Sequence, residues 1–143
     1  MKYLLPLMVV LTLVIGSLAN IYINSDDWYG SLIKSPLNPP SFIFGIVWPI
    51  LYALMAIIAY KLAHKIAPIF IMQLLLNAAW SWIFFYFHAP LIALLDIVLL
   101  IYLNLRILII IKSESRTLYF LYLPYIIWLL FAAFLNASIV FLN

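Results

Sequence analysis

The chain has 143 residues, of which 70% are hydrophobic and 8% are charged, and its mean hydropathy is +1.27. Soluble domains are about 45–50% apolar and about 25% charged, so this composition excludes an ordinary water-soluble domain, and the high hydrophobicity excludes intrinsic disorder. The net charge of +3 does not indicate nucleic-acid binding, because the positive charges are scattered between apolar runs. We therefore expect an integral membrane protein.

Five apolar runs are long enough to cross a bilayer, which takes about 20 residues each. They cover residues 3–23, 42–60, 67–87, 90–111 and 118–141. Their apolarity is continuous and does not alternate with period two, which favours helices over barrel strands. Pro68 and Pro90 are placed in first helical turns, where no backbone N–H is needed, and Ser115 and Thr117 are candidate N-caps. The sequence thus predicts an all-α, single-domain bundle of five transmembrane helices over residues 1–143.

The first run has an alternative interpretation. Lys2, the apolar stretch and Ser17-Leu18-Ala19 resemble a cleavable signal peptide. The apolar stretch continues to Ile23, which is longer than the usual core of a signal peptide and favours a retained helix.

The lysines and arginines predict the orientation of the bundle. One side holds Lys2, Lys61, Lys65, Lys112 and Arg116, whereas the other side holds only Lys34. Because cytoplasmic loops are enriched in lysine and arginine, we expect the N-terminus in the cytoplasm and the C-terminus outside. The chain is then a multi-pass protein, and we expect it in a bacterial plasma membrane.

The segment 24–41 is the one long connection and is predicted to be external. Loops of this length are usually functional or disordered. Trp28 and Tyr29 can pack, and Pro36, Pro39 and Pro40 stiffen the backbone, so we expect a partly ordered lid. The alternative is an aromatic anchor at the level of the lipid headgroups.

Polar and aromatic residues form stripes in the external half of the bundle. The third helix carries Gln73, Asn77, Trp80, Ser81 and Phe84 at helical spacing, the fifth carries Tyr125, Trp128, Ala132 and Asn136, and the second contributes Trp48. Amides are costly to expose to lipid, so both stripes should face the interior. They predict a pocket with aromatic walls beneath the lid. The alternative, that these amides only join helices by hydrogen bonds, is favoured for Gln73 and Ser81.

Catalytic and metal chemistry find little support in the sequence. Cysteine is absent, and neither His64 nor His88 has companions at ligand spacing, so no metal site and no cofactor are expected. Asp96 is the one acid within a span, and a structural role is favoured over a proton relay, which would need a chain of ionisable groups.

Three segments resemble the TspO/MBR family, the tryptophan-rich sensory proteins and translocator proteins that include the peripheral benzodiazepine receptor. They are WYGSLIKSPLNPPSFIFGIVWPILY at 28–52, QLLLNAAWSWIFF at 73–85 and PYIIWLLFAAFLN at 124–136. The resemblance implies a five-helix bundle, often a homodimer, that binds porphyrins in a pocket under the first loop. It implies ligand contacts for Tyr29, Trp48, Asn77, Trp128 and Ala132, to which the helical stripes add Trp80, Phe84 and Asn136.

The sequence also departs from the family pattern. Leu37 stands where the family loop has tryptophan, which removes one stacking surface from the lid. Ala137 follows Asn136 where the cholesterol-recognition segment would continue, which argues against cholesterol binding.

The leading functional expectation is a membrane translocator or sensory protein that binds porphyrins or similar flat hydrophobic ligands. The first alternative is an enzyme that degrades protoporphyrin in light, for which the resemblance implies Trp48 and Trp128 as the reacting pair. The second alternative, a small-molecule transporter, lacks inverted repeats in the sequence.

Overall fold

The computed structural model describes residues 2–20 and 27–143, and the regular structure in these ranges is entirely helical. The elements are α1 (Leu4–Leu18), α2 (Trp28–Ser31), α3 (Ser41–Ser81), a π-helical turn (Trp82–Tyr86), α4 (Pro90–Glu114) and α5 (Arg116–Leu142). Three helical stretches are long and apolar enough to cross a membrane, namely Phe42–Tyr86, Pro90–Glu114 and Arg116–Leu142. The apolar helix Leu4–Leu18 is shorter.

Helix α3 is a hairpin of two antiparallel arms. Its 41 residues would extend about 60 Å if straight, twice the thickness of a bilayer core. The Tyr52 hydroxyl nevertheless donates a hydrogen bond to Asn77, 25 residues away, and Gln73 Nε2 lies 3.8 Å from Met55 Sδ. These contacts require the chain to reverse, and the non-helical residue lies between them at Leu62, with φ −122° and ψ 18°. We call residues 41–61 the first arm and residues 63–81 the second arm.

With both arms counted, α1, the two arms, α4 and α5 make the predicted five-helix bundle. The expected turn over residues 61–66 is wrong in its extent, because the helical geometry departs only at Leu62. The placement of Pro68 in a first turn is wrong for the same reason, since the second arm begins before it and Pro68 lies inside the helix.

Helix α1 packs against α3, while α4 and α5 pack against each other and against α3. Leu5 and Val9 of α1 are buried in the same apolar core as Ile58, Phe70 and Ile107. The opposite faces carry exposed leucine and isoleucine, as expected of helices whose outer surface meets lipid. The expected helix over 3–23 is too long, because α1 ends at Leu18, next to the weak helix formers Gly16 and Ser17. Residues 21–23 lie outside the described ranges.

The ends of α4 and α5 agree closely with the sequence. Pro90 occupies the first turn of α4. The Ser115 side chain accepts a hydrogen bond from the Leu118 N–H at 3.2 Å, so the predicted N-cap of α5 is confirmed. Both helices extend two or three residues beyond the predicted apolar runs, because polar residues at the bilayer surface continue a helix without entering the lipid.

We call residues 27–40 the lid; the remaining expected lid residues 24–26 lie outside the described part of the chain. The lid contains the single turn α2 and is joined to the end of α5 by a reciprocal pair of hydrogen bonds. The Ile33 N–H donates to Asn143 Oδ1 at 2.9 Å, and Asn143 Nδ2 donates to the Ile33 carbonyl at 2.9 Å. The lid is therefore a packed segment at one end of the bundle, which we call the lid end. We call the opposite end, where Leu62 and Ser115 lie, the basic end.

Candidate functional site

A cavity of about 500 Å³ lies beneath the lid, between α1, the two arms, α4 and α5. Its volume is within the range of about 300–1,000 Å³ that is typical of small-molecule pockets. The lining residues are Leu13, Gly16, Ser17, Asn20, Tyr29, Asn38, Pro39, Phe44, Gly45, Trp48, Pro49, Tyr52, Asn77, Trp80, Ser81, Phe84, Phe85, Ile97, Leu100, Leu129, Ala132, Leu135, Asn136 and Ile139.

The structure brings seven of the eight predicted ligand-contact residues to this cavity. The seven are Tyr29, Trp48, Asn77, Trp80, Phe84, Ala132 and Asn136. Trp128 is the exception, because it is not among the lining residues; its ring meets that of Trp48 edge-to-face, with ring centroids 6.2 Å apart and ring planes at 88°. Its indole N–H is buried and has no hydrogen-bond partner among the described residues. Trp128 therefore supports the wall of the cavity from outside.

Aromatic rings form the wall nearest the lid. Trp80 stacks on Phe84 with centroids 5.2 Å apart and ring planes at 22°. The Tyr29 ring, carried by α2 of the lid, meets Phe84 at 6.0 Å and Phe85 at 5.3 Å, both edge-on. Edge-to-face and offset-stacked pairs are the favoured aromatic geometries, so the lid rests on a continuous aromatic surface.

The π-helical turn at Trp82–Tyr86 positions this wall. Phe87 N–H donates to the Trp82 carbonyl at 3.0 Å, five residues back, which widens the helix at its end. Both Phe84 and Phe85 of this turn line the cavity, and Phe84 is buried. His88 then takes a left-handed conformation with φ 53°, and the chain enters α4. Single π-helical turns in α-helices are frequent at functional sites.

A chain of buried hydrogen bonds forms the floor of the cavity. The Tyr52 hydroxyl donates to Asn77 Oδ1, and Asn77 Nδ2 donates to the Tyr125 hydroxyl at 2.7 Å. Tyr125 donates in turn to Gln73 Oε1 at 2.8 Å, which also accepts from Asn104 Nδ2 at 3.1 Å. Both arms, α4 and α5 are thereby joined at one level of the bundle.

The hydrogen bonds separate helix-joining amides from cavity amides. Gln73 is fully buried and does not line the cavity, in agreement with the predicted joining role. Asn77 belongs to both groups, because it lines the cavity and is held by Tyr52 and Tyr125. Ser81, for which a joining role was expected, lines the cavity.

A second set of hydrogen bonds fixes the upper wall. Trp80 Nε1 donates to Asn136 Oδ1 at 3.0 Å, and Asn136 Nδ2 donates to the Pro90 carbonyl at 2.8 Å. The indole N–H of Trp80 is therefore already used, and Trp80 offers a ligand its ring face.

No formally charged side chain is among the described residues that line the cavity. The nearest cation in the lid is Lys34, whose Nζ donates to the carbonyls of Tyr29 at 2.7 Å and Leu32 at 3.2 Å. Its Nζ also lies 4.4 Å from the centroid of the Tyr29 ring. Burial raises the pKa of the Tyr29 hydroxyl above its ordinary value, although a hydrogen bond with Asn38 opposes the shift. Tyr29 is thus a neutral donor at physiological pH.

Sequence reasoning missed Tyr52 as a cavity residue. It lies four residues after Trp48, which places both on one helical face, so the spacing could have identified it. Asp96 does not line the cavity; it is buried, and its Oδ2 has no hydrogen-bond partner among the described residues. Within the same ranges, no three residues of the kinds His, Cys, Asp or Glu are grouped to hold a metal ion.

Comparison with known proteins gives the same family over the whole chain. The model of the TspO/MBR family matches residues 6–142. The Tryptophan-rich protein TspO of Chlorobaculum tepidum is 34% identical over 125 residues, covering 81% of this chain and 79% of the relative. The Uncharacterized membrane protein YtaB of Bacillus subtilis is 36% identical, with 82% and 81% covered. The Translocator protein of Ovis aries is 31% identical over 133 residues, with 85% and 79% covered.

Proposed function

The chain belongs to the TspO/MBR family of membrane proteins, and from this membership and the geometry of the cavity we propose that it is a membrane receptor for porphyrins or similar flat hydrophobic ligands. The observation that carries the proposal is one uncharged cavity, of about 500 Å³, in which aromatic rings and amides from separate helices meet beneath a packed lid.

The chemistry of the lining favours a flat and mostly apolar ligand. The faces of Trp48 and Trp80 offer stacking surfaces, and each stacked aromatic pair contributes about 0.5–1.5 kcal/mol beyond the area it buries. Asn77 retains one amide N–H beyond its bond to Tyr125, so a ligand acceptor near the floor can be recognised. The acidic side chains of a porphyrin would remain at the mouth of the cavity, because burying an unpaired carboxylate is costly.

Titration with protoporphyrin in detergent, followed by its Soret absorbance, tests the proposal. We expect saturable binding by the wild type and by Trp82→Phe, since Trp82 lies outside the cavity and donates to the Ile15 carbonyl. We expect at least tenfold weaker binding by Trp48→Ala. Equal binding by all three proteins would contradict the assignment of the ligand to this cavity.

One contact favours a second candidate function, the degradation of bound porphyrin in light. Trp48 and Trp128 are in direct edge-to-face contact, and of the two only Trp48 faces the cavity. If this function is correct, illumination will remove the Soret band faster with wild type than with Trp48→Phe at equal porphyrin occupancy. Bleaching at the rate of free porphyrin would leave the receptor function alone.

We further propose that the lid end faces the outside of a bacterial plasma membrane, supported by the lysines and arginines at the basic end. Because the chain has no cysteine, single-cysteine reporters test this without background. Gly30→Cys adds a side chain where a Cβ meets nothing within 4 Å, and Ser113 is exposed at the other end. An impermeant thiol reagent added to intact cells should label Gly30→Cys and not Ser113→Cys. The reverse labelling pattern would mean that the lid end faces the cytoplasm. The homodimer implied by the family stays a prediction.

A further inference from the structure

A second cavity, of about 620 Å³, opens at the basic end of the bundle, opposite the lid. Three separate parts of the chain line it: Lys2 before α1, the hairpin turn of α3 around Leu62, and the turn between α4 and α5 at Ser115. We call it the basal cavity. It shares no lining residue with the cavity beneath the lid.

The charges at the basal cavity are unbalanced in favour of cations. Lys2 and Lys61 both line it. The carboxylate of Glu114, which also lines it, is held by Lys65 at 3.6 Å. Lys65 does not line the basal cavity, so Glu114 is compensated from outside and the two lining lysines are left in excess.

Aromatic contact helps to position one of these lysines. Lys2 Nζ lies 4.7 Å from the centroid of the Tyr60 ring, a distance at which a cation is attracted to the ring face. This contact uses no hydrogen-bond donor, because the ring attracts the charge through its quadrupole. The ammonium donors of Lys2 are thus available for an anion.

The N-terminal end of α5 brings backbone N–H donors to the same cavity. Ser115, which lines the cavity, is the N-cap of this 27-residue helix. The first backbone N–H groups of a long helix are partly unpaired and can donate to an anion. The Ser115 side chain satisfies the Leu118 N–H, and the N–H groups nearer the start of the helix remain for another acceptor.

The floor of the basal cavity is apolar. Leu62, Ala63 and Leu118 line it and are buried, with exposed fractions of 6%, 4% and 8%. An anion seated among the lysines would therefore lie next to hydrocarbon, which is the surrounding that the headgroup of a phospholipid meets at the membrane surface. Basic pockets between transmembrane helices on the cytoplasmic side bind such headgroups.

We propose that the basal cavity is a binding site for a phosphate group, held by Lys2, Lys61 and the N-terminal end of α5. The phosphate can belong to an anionic phospholipid or to a soluble phosphate ester, and both present the same chemistry to the two lysines. The volume exceeds that of a phosphate alone and leaves space for the glycerol that follows it. The site is independent of the ligand proposed for the cavity beneath the lid.

Native mass spectrometry of the full chain in a neutral detergent tests the proposal with three probes: short-chain phosphatidylglycerol, short-chain diacylglycerol and glycerol 3-phosphate. The variant pair is Lys2→Gln with Lys61→Gln. The matched control is Lys112→Gln with Arg106→Gln, which removes two exposed charges of α4 from outside the cavity lining and leaves the start of α5 unchanged. At about 1 kcal/mol for each surface charge, we expect binding about fivefold weaker per lysine and about 25-fold weaker for the pair.

The proposal is supported if the wild type binds phosphatidylglycerol and the Lys2 and Lys61 pair loses at least tenfold more affinity than the control pair. Competition by glycerol 3-phosphate would assign the phosphate to a soluble ester, and its failure to compete would assign it to the lipid. Equal losses in both pairs, or equal affinity for diacylglycerol, which has the glycerol and the acyl chains but no phosphate, would overturn the proposal. If the double variant does not elute as a folded helical protein, the single variants Lys61→Gln and Lys112→Gln are compared instead. We then expect phosphatidylglycerol to bind Lys61→Gln about fivefold more weakly than Lys112→Gln.

Discussion

Replacing Trp48 by alanine is expected to weaken porphyrin binding roughly ten- to several-hundredfold, whereas replacing Trp128 is expected to weaken it roughly two- to tenfold. The two indoles occupy comparable positions in the sequence pattern, and the structure distinguishes them. Trp48 lines the cavity and Trp128 does not; Trp128 contacts Trp48 edge-to-face and also packs on Phe44 and Phe131.

The magnitudes follow from these contacts. Trp48→Ala removes one stacking partner of the ligand, about 0.5–1.5 kcal/mol, and the contact area of an indole face, about 1–2 kcal/mol at 25 cal/mol per Å². The sum corresponds to roughly ten- to several-hundredfold in Kd. Trp128→Ala removes the edge contacts that position Trp48 and Phe44, and about 0.5–1.5 kcal/mol corresponds to roughly two- to tenfold.

Porphyrin titrations of both single variants and of the double variant form the assay, with the unfolding temperature of each protein measured in the same detergent. Because Trp128 acts on the cavity through Trp48 and Phe44, part of its effect should disappear when Trp48 is already alanine. The double variant should therefore lose less affinity than the two single losses added together. An equal or larger loss for Trp128→Ala, or additive losses in the double variant, would refute this geometry and return Trp128 to direct contact with the ligand.

Three further outcomes follow from named contacts. Tyr52→Phe leaves the side-chain carbonyl of Asn77 without its donor, and we expect the free energy of unfolding to fall by about 0.5–2 kcal/mol. Denaturation in mixed micelles measures this change, and an unchanged free energy would mean that the hydrogen bond does not contribute to stability. Asn143→Ala breaks both bonds to Ile33, and stopped-flow mixing should record faster porphyrin association and dissociation, because the lid is released; unchanged rates would show that the lid does not limit access. Leu37→Trp restores the missing lid aromatic at a side chain that is 65% exposed, and we expect roughly two- to tenfold tighter porphyrin binding, with Ile33→Trp as the control that should gain nothing.

The number of helices and their faces could be predicted from the sequence because lipid imposes simple rules. Apolar length gives the spans, and the cost of exposing amides to lipid directs Asn77 and Asn136 inward. Pro90 and Ser115 marked helix starts correctly because their chemistry acts within one turn. A turn was expected over residues 61–66, and the chain does reverse there, at Leu62. Its narrow extent could not be predicted, because no glycine or proline marks Leu62 and the reversal is stabilised by contacts between the two arms.

The residue types around the cavity could be predicted better than which of them line it directly. Helical spacing places Trp128 on the same stripe as Ala132, but it does not say which of two facing indoles stands in front. That order depends on the packing of Phe44 against Trp128 across two helices, which no local pattern encodes. The same limit explains Ser81 and Gln73, whose different surroundings arise from the neighbours they meet along the second arm.

The hydrogen bonds of the floor bear on how the cavity meets its ligand. Asn77 is held from two sides, by Tyr52 of the first arm and by Tyr125 of α5, so its orientation is fixed before any ligand arrives. Trp80 is fixed in the same way through Asn136. Binding to such a preorganised wall costs little side-chain entropy. The lid is a separate segment, joined to the bundle through Asn143 and aromatic contacts. Variants of the walls and the floor should therefore change affinity, while a variant that releases the lid, such as Asn143→Ala, should change both rate constants together.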